Sequence, residues 1–436
     1  MPENRSQVTL SLVAAFFLVG MVGFSLGAVV VVLKVWPFSD LREIYYVSRA
    51  LWETGDVDAH RFRRRAPANR PRDEFTVHLP ESQLDGYYAF TGYDRAAGTY
   101  TVRLFDQDGT LINRIAATPA DFGVSPQPNF PDPHGVVMLP DGSVVLVFDR
   151  ADMIVRLDRC GAPVWSRDDA YHHLASRTGR GTILVWRGVP NAYGTHQFIE
   201  ELSEETGETL RVISIEDVMK VAGPDAAFFN TDPEAPFPDP TKIGFPDRPP
   251  IDRYHPNDVE ELSQRDAAAF PMFDAGDLLV SLKSVNMVAV IDPLSLELKW
   301  FQRGPWSKQH DPDYLPDGRI SVYDNNTGFG TSRIVIIDPV TGEVETRFAG
   351  PEAGDGSFSF RNGSQGLHQR LPNGNILISS VHQGFAAELS EAGNIVMEFH
   401  NFHQSDEPWN AHMSNALWLP EDFFAVSPVC ETGVTQ

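Results

Sequence analysis

Six times between Tyr87 and Phe399 the chain repeats one unit: an alternating strand after a turn, a second strand, a tight turn and a third strand. The copies are YYAFTGY/YTVRLFDQDGTLINRI, SVVLVFD/DMIVRLDRCGAPVWS, TILVWRG/HQFIEELSEETGETLRVI, DLLVSLKS/NMVAVIDPLSLELKWF, RISVYDN/SRIVIIDPVTGEVETRF and NILISSV/GFAAELSEAGNIVMEF. A unit this short cannot bury its apolar face alone, so repetition decides the fold before any single motif does. Period-2 alternation bounded by Gly, Asp, Asn and Pro is the signature of strands and hairpins, and no long amphipathic helix is written after residue 74. The predicted fold is all-β, a six-bladed β-propeller over residues 75–420.

A blade needs a fourth, innermost strand. Ahead of repeats two to six stands a segment opened by histidine: His134 (HGVVMLPDG), His173 (HLASRTGRG), His255 (HPNDVEEL), His310 (HDPDYLPDG) and His368 (HQRLPNG). Repeat one lacks such a segment, while the C-terminal part holds an orphan, His412 in HMSNALWLP. The last strand is therefore expected to complete the first blade and close the ring, removing the open sheet edge. Pseudo-symmetry then gathers six histidines around one opening of the axial channel, where imidazole can serve as nucleophile, base or metal ligand. A single histidine at such a position is more often structural; six at equivalent positions weaken that reading, with two or three of them still expected to be structural.

Residues outside the repeats divide into segments. Val8–Val35 is an almost unbroken apolar run, long enough for a bilayer, which needs about 20 residues, and without an A-x-A-like cleavage site. Residues 1–36 are read as a single transmembrane anchor, and 37–74 as a juxtamembrane helix and a basic linker, HRFRRRAPANRPRDE. A Pro- and Asp-rich insertion at about 222–254 and a shorter one, SQRDAAAFPMF, fall in the fourth blade, where they are expected to form a lid or to pack on the membrane-proximal helix. Residues 421–436 are a tail. The formal net charge of -24 repels nucleic acid. Cys160 and Cys430 have no metal-ligand spacing; one bridge tying the tail to a blade is compatible with an oxidising compartment. Positive charge counted beside the anchor leans toward a cytoplasmic domain, on a very short tail.

From His255 to Phe399 the chain resembles the bacterial arylsulfotransferases that use no nucleotide sulfate donor. The likeness rests on QH before an alternating strand ending in Asp324-Asn325, and on H-x-N before a strand ending in S-x-K. The resemblance implies an exported propeller enzyme, on the periplasmic side of the inner membrane, that moves a sulfuryl group from a phenol sulfate to a phenol through a sulfated histidine, with no cofactor or metal. Carried over, His255 and His310 polarise the sulfate or exchange the phenolic proton and His368 is the nucleophile. Lys283 takes the place of a sulfate-binding arginine, with Asn325 beside it. The family's arginine after the D-N pair is missing; Arg333, beyond a glycine-rich stretch, is the substitute. His134, His173 and His412 complete the rim as substrate-binding or scaffold residues.

Sulfuryl transfer spreads charge over three oxygens and the leaving phenolate, so it asks for positioning and cationic donors. Two other readings stay open. One is a non-catalytic propeller serving a membrane-protein partner, which the departure after Asn325 favours. The other is a metal-dependent hydrolase or lyase, against which no H-x-H or H-E-x-x-H occurs.

Overall fold

The computed structural model describes residues 71–116, 122–123, 132–189, 197–223, 254–348, 360–403 and 409–430, with short pieces at 18–25, 27–29, 44, 48 and 63–65. Most of the apolar run Val8–Val35 lies outside these, so the anchor predicted there rests on sequence; among the described residues no helix is long and apolar enough to cross a membrane. Residues 224–253 of the large insertion are likewise outside.

Six antiparallel sheets of four strands or more follow one another in chain order. The first is closed by the last strand: Met413–Pro420 pairs with Gly86–Asp94, ahead of Thr99–Asp106 and Leu111–Ala116. Blade two runs Gly135–Met138, Val144–Phe148, Met153–Leu157 and Pro163–Asp168. Blade three runs Tyr171–Arg177, Thr182–Arg187, Phe198–Ser203 and Thr209–Ser214. Pro256–Glu261, Leu278–Leu282, Met287–Ile291 and Leu298–Arg303 make blade four; His310–Tyr314, Ile320–Asp324, Arg333–Ile337 and Val344–Arg347 make blade five. Blade six, His368–Arg370, Ile376–Ser380, Phe385–Leu389 and Ile395–His400, carries a fifth, outermost strand, Phe75–Val77, from the end of the linker. The ring closure read from the orphan segment at His412 is the one observed.

Each pair of neighbouring blades encloses one apolar cluster, and strand alternation feeds both neighbours. In blade two, Val144, Leu146 and Phe148 pack toward blade one, while Val145 and Val147 pack toward blade three. Strands sandwiched this way are buried on both faces, which is why Val144–Phe148, Leu278–Leu282 and Met287–Ile291 read as nearly continuous apolar runs. Between blades six and one the seam is aromatic, with Phe90 and Phe399 stacked at 3.9 Å between ring centres.

The eight-residue helix Ile215–Ala222 turns Ile215, Val218 and Met219 into the seam between blades three and four. The shorter insertion does not become a lid: Phe270 and Phe273 are buried against Tyr314 between blades four and five. It bears directly on the hairpin turn of blade five, where Gly318 sits at φ +84° and an added Cβ would collide with the Ala269 carbonyl oxygen. Gly318→Ala is expected to destabilise the propeller by about 2–3 kcal/mol, combining left-handed strain with backbone displacement, read from urea unfolding. Cys160 and Cys430 form a disulfide across 270 residues of sequence, and Asn113 Nδ2 donates to the Pro428 carbonyl at 2.7 Å, so the tail is strapped to blades one and two.

Candidate active site at the axial rim

The inner strands begin irregularly, and the irregularity aims the histidines. His173 and His255 have φ of +62° and +48°, and Asp311, following His310, has φ of +50°. Each residue lies at or beside a register shift between the inner strand and its neighbour. Left-handed backbone at a non-glycine residue costs about 1 kcal/mol or more and is retained where packing enforces it.

Blades two and four end their second strand in the same way. Asp149–Ala151 and Lys283–Val285 are single 3-10 turns, each closed by a left-handed residue, Asp152 and Asn286. Asp149 and Lys283 thus hold equivalent positions, one acidic and one basic. Asp149 Oδ2 lies 2.6 Å from His134 Nδ1, and its Oδ1 accepts the His173 backbone N–H at 2.5 Å. Lys283 donates its backbone N–H to the His255 carbonyl at 3.0 Å, and its Nζ stands 3.2 Å from His255 Nε2.

The rings form an arc. His134 and His173 are 4.8 Å apart between ring centres, as are His173 and His255. His173 Nε2 is 3.1 Å from His255 Nε2, His173 Nδ1 is 2.8 Å from His172 Nδ1, and His172 Nε2 is 2.8 Å from the side-chain amide of Gln197. An ammonium can only donate, so Lys283 requires a lone pair on His255 Nε2. The proton order that satisfies the remaining contacts gives His173 an Nε2–H toward His255, gives His172 an Nδ1–H toward His173, and turns the Gln197 NH2 to His172. His310 Nδ1 is 2.6 Å from Asn325 Oδ1, while its Nε2 accepts the Gln365 backbone N–H at 3.1 Å.

Electrostatics separates the rings. Burial and the neighbouring imidazoles push His173 well below its usual range; burial and the Lys283 charge do the same to His310. Both are neutral at pH 7. Burial works against protonation of His134 too, but the charge and hydrogen bond of Asp149 more than offset it, and its pKa is raised. Burial tends to raise the Asp149 carboxyl, and the pairing with His134 leaves it lowered. Among the six inner-strand histidines, His134, His173, His310, His368 and His412 are buried and His255 is the one partly open to solvent.

A raised His134 pKa means that the pair's contribution to folding is complete below pH 6.5, the unfolded value, and fades as pH climbs through the folded value. The lowered Asp149 pKa sets the acid edge, where the contribution is lost as pH falls below about 4. Asp149→Asn is therefore expected to cost about 2–3 kcal/mol near pH 5–6, with a gap in melting temperature from the parent that narrows above pH 7.

Of the residues singled out by sequence, His134, His173, His255, His310 and Lys283 come together. Asn325 stands behind His310 as its hydrogen-bond partner, also donating to the Gln365 carbonyl at 2.6 Å. Arg333 folds back onto Asp324 (Nε to Oδ2, 2.7 Å) and the Pro305 carbonyl (2.8 Å), clamping the loop. His412 lies 3.1 Å from Tyr100 OH. His368 faces an acidic cavity deeper along the axis, 2.8 Å from Asp311 and 2.8 Å from Ser321 Oγ. Sequence reasoning passed over Asp149, His172 and Gln197; the FDRAD and LKSVN segments, equivalent in the repeat, carried the signal for the first.

Fold and rim together define a propeller with a cluster of histidines at one end of its axis and the Lys283 ammonium set against one of them. A family model described as Arylsulfotransferase (ASST) matches residues 135–402, more than half of the chain, and the chain belongs to that family. No curated relative matches. Among solved structures the chain is similar to a protein of unknown function from Bacteroides caccae, at 13% identity and a TM-score of 0.49, over 77% of this chain and 99% of that one. It is similar to a catalytically inactive virginiamycin B lyase from Staphylococcus aureus with quinupristin, at 13% identity, a TM-score of 0.40 and coverage of 74% and 87%. Hydrazine synthase from Kuenenia stuttgartiensis matches at 13% identity, a TM-score of 0.40 and coverage of 67% and 71%.

Proposed function

We propose that this arylsulfotransferase-like propeller moves a sulfuryl group from a phenol sulfate to a phenol, with His255 Nε2 as the sulfated nitrogen. The observation that carries the reading is the approach of Lys283 Nζ to within 3.2 Å of Nε2 on the one inner-strand histidine that is partly exposed. In the resting site Lys283 and the His173 Nε2–H share the lone pair of that nitrogen. Sulfate oxygens take over both donors, and the freed lone pair attacks sulfur. The N–S bond forms as the S–O bond to the phenol breaks, and the leaving oxygen takes the proton of His134, which Asp149 keeps protonated. In the second half the acceptor phenol returns a proton to His134, its oxygen attacks sulfur, and the N–S electron pair goes back to His255. His310, neutral and held at both ring nitrogens by Asn325 and the Gln365 N–H, shapes the wall of the pocket.

This assignment moves the nucleophile from His368 to His255. His368 has both ring nitrogens engaged and stands among carboxylates that repel a sulfate ester. The test is transfer from p-nitrophenyl sulfate to a phenol by the full chain, followed by peptide mapping after donor addition. A sulfated His255 peptide is the expected result; a folded protein inactive across a donor panel would sink the enzyme reading. Asp149→Asn should shift the alkaline limb of the rate profile to lower pH, because His134 then loses the partner that raises its pKa.

The apolar run Val8–Val35 anchors the propeller to the inner membrane with the domain on the periplasmic side. The Cys160–Cys430 disulfide supports an oxidising compartment. Protein released from membranes by an alkaline wash would overturn the anchor.

A further inference from the structure

Below the histidine rim the axis widens into a cavity of about 400 Å³ lined by the inner strands of all six blades. Its chemistry is the opposite of the rim's. Asp258 and Glu260 from blade four and Asp311 and Asp313 from blade five all line it. His368 of blade six closes the group. We propose that this cavity is a divalent-cation site, with Asp311, Asp313 and His368 as the primary ligands and the Asp258 and Glu260 carboxylates completing the shell.

Geometry comes first. One ligand atom from each of Asp311, Asp313 and His368 lies within 4.8 Å of the other two, the spacing of atoms that share one ion at about 2.0–2.5 Å. His368 Nδ1 stands 2.8 Å from Asp311 Oδ2, so its proton goes to that carboxylate; Nε2, 2.8 Å from Ser321 Oγ and 3.5 Å from Asp313 Oδ2, can ligate once the Ser321 hydroxyl rotates its proton away. A ligating imidazole that gives its other N–H to a carboxylate is the arrangement metal sites use to fix ring orientation.

The charge is not compensated locally. Two basic residues line the cavity, and each already has an acid of its own: Arg265 pairs with Asp266, also on the lining, at 3.0 Å and Arg370 with Glu391 at 2.5 Å. Asp258 is 6% exposed, and among the described residues no side chain donates to it. A neutral group on the same wall points to a ligand independently of the acids. Asn415 Oδ1, on a residue 2% exposed that lines the cavity, is buried without a hydrogen-bond partner among the described residues. Buried polar atoms of this kind are rare unless something binds them.

A mixed oxygen and imidazole shell favours Mn²⁺ or Zn²⁺ over Mg²⁺, which sheds water reluctantly and rarely takes nitrogen. Such an ion would tie blades four, five and six together on the axis beneath the transfer site, and the proposal stands whether or not His255 carries the sulfuryl group.

The test is calorimetric titration of chelator-stripped full chain with MnCl2, ZnCl2, CaCl2 and MgCl2 at pH 7.5. Single-site binding of Mn²⁺ or Zn²⁺ is expected, weakened at least about tenfold in Asp313→Asn and in Asp258→Asn, and unchanged in Asp149→Asn, which alters the His134–Asp149–His173 cluster instead. Mn²⁺ spin-echo spectra should show a coordinated nitrogen that disappears in His368→Gln. Folded protein that binds none of the four ions would overturn the site, leaving protons to neutralise the carboxyls. Binding that survives Asp311→Asn/Asp313→Asn but fails in Asp149→Asn would also overturn it, by placing the ion at the rim.

Discussion

His255→Ala is expected to lower sulfuryl transfer by about 10⁴-fold or more while leaving the melting temperature within a few degrees of the parent. Removing a covalent nucleophile costs on this scale, and what remains is the catalysis the surrounding donors give to direct attack. Stability should barely move because His255 is partly open to solvent and its backbone, at φ +48°, is strained with any L side chain. His255→Gly sharpens the test. It relieves that strain by about 1 kcal/mol and should melt no lower than the parent, yet transfer no sulfuryl group. A variant that is inactive but at least as stable belongs to a catalytic position, since a structural histidine loses both together. His368→Ala gives the counter-case: it removes the hydrogen bonds to Asp311 and Ser321 and is expected to lower stability more than His255→Ala. Mapping the sulfated residue to His368, or full turnover by His255→Ala, would return the nucleophile to blade six.

How much of this was legible in the chain follows from what repetition can carry. Blade count and ring closure by the strand after His412 follow from a repeat whose members must stack, and both are found; of the six histidines expected at one opening, His134, His173, His255 and His310 come together while His368 and His412 turn to other partners. The side chains that make the site unequal are another matter. HPNDVEE and HDPDYL look alike in sequence, but the backbone at His255 and at Asp311 turns left-handed, which sends Lys283 to one ring and Asp311 to His368. Periodicity sees alternation, and bulges are where alternation breaks. The role of Arg333 was undecidable for a related reason: a guanidinium nine residues past Asp324 reaches either the pocket or its own loop, and the hydrogen bonds to Asp324 and Pro305 select the loop. Phe270 and Phe273 read as insertion residues because a repeat alignment has no column for them; they nevertheless fill the seam beside Tyr314.

Lys283→Met should reduce kcat/KM for the sulfate donor by about 10²–10³-fold, the loss typical of one preorganised charge on a developing oxyanion. The lysine is the cation that the rim directs at His255 Nε2, inside a chain of net charge -24, so a sulfate ester approaching the propeller finds its favourable potential concentrated there. Part of the loss should appear in KM and should shrink as salt rises, because added ions already screen the approach. Methionine keeps the length and the apolar stem, so the backbone contact of residue 283 with the His255 carbonyl survives and the ring stays in place. Lys283→Arg is expected to recover only part of the activity: a planar fork on a longer arm cannot reproduce a single ammonium 3.2 Å from the imidazole nitrogen. Arg333→Met is the control. Its guanidinium serves the buried Asp324 carboxylate, so it should lower the melting temperature by several degrees and leave the donor KM within about twofold. Equal losses of kcat/KM in Lys283→Met and Arg333→Met would mean that both cations reach the ester, and the distinction between oxyanion ligand and loop clamp would fall.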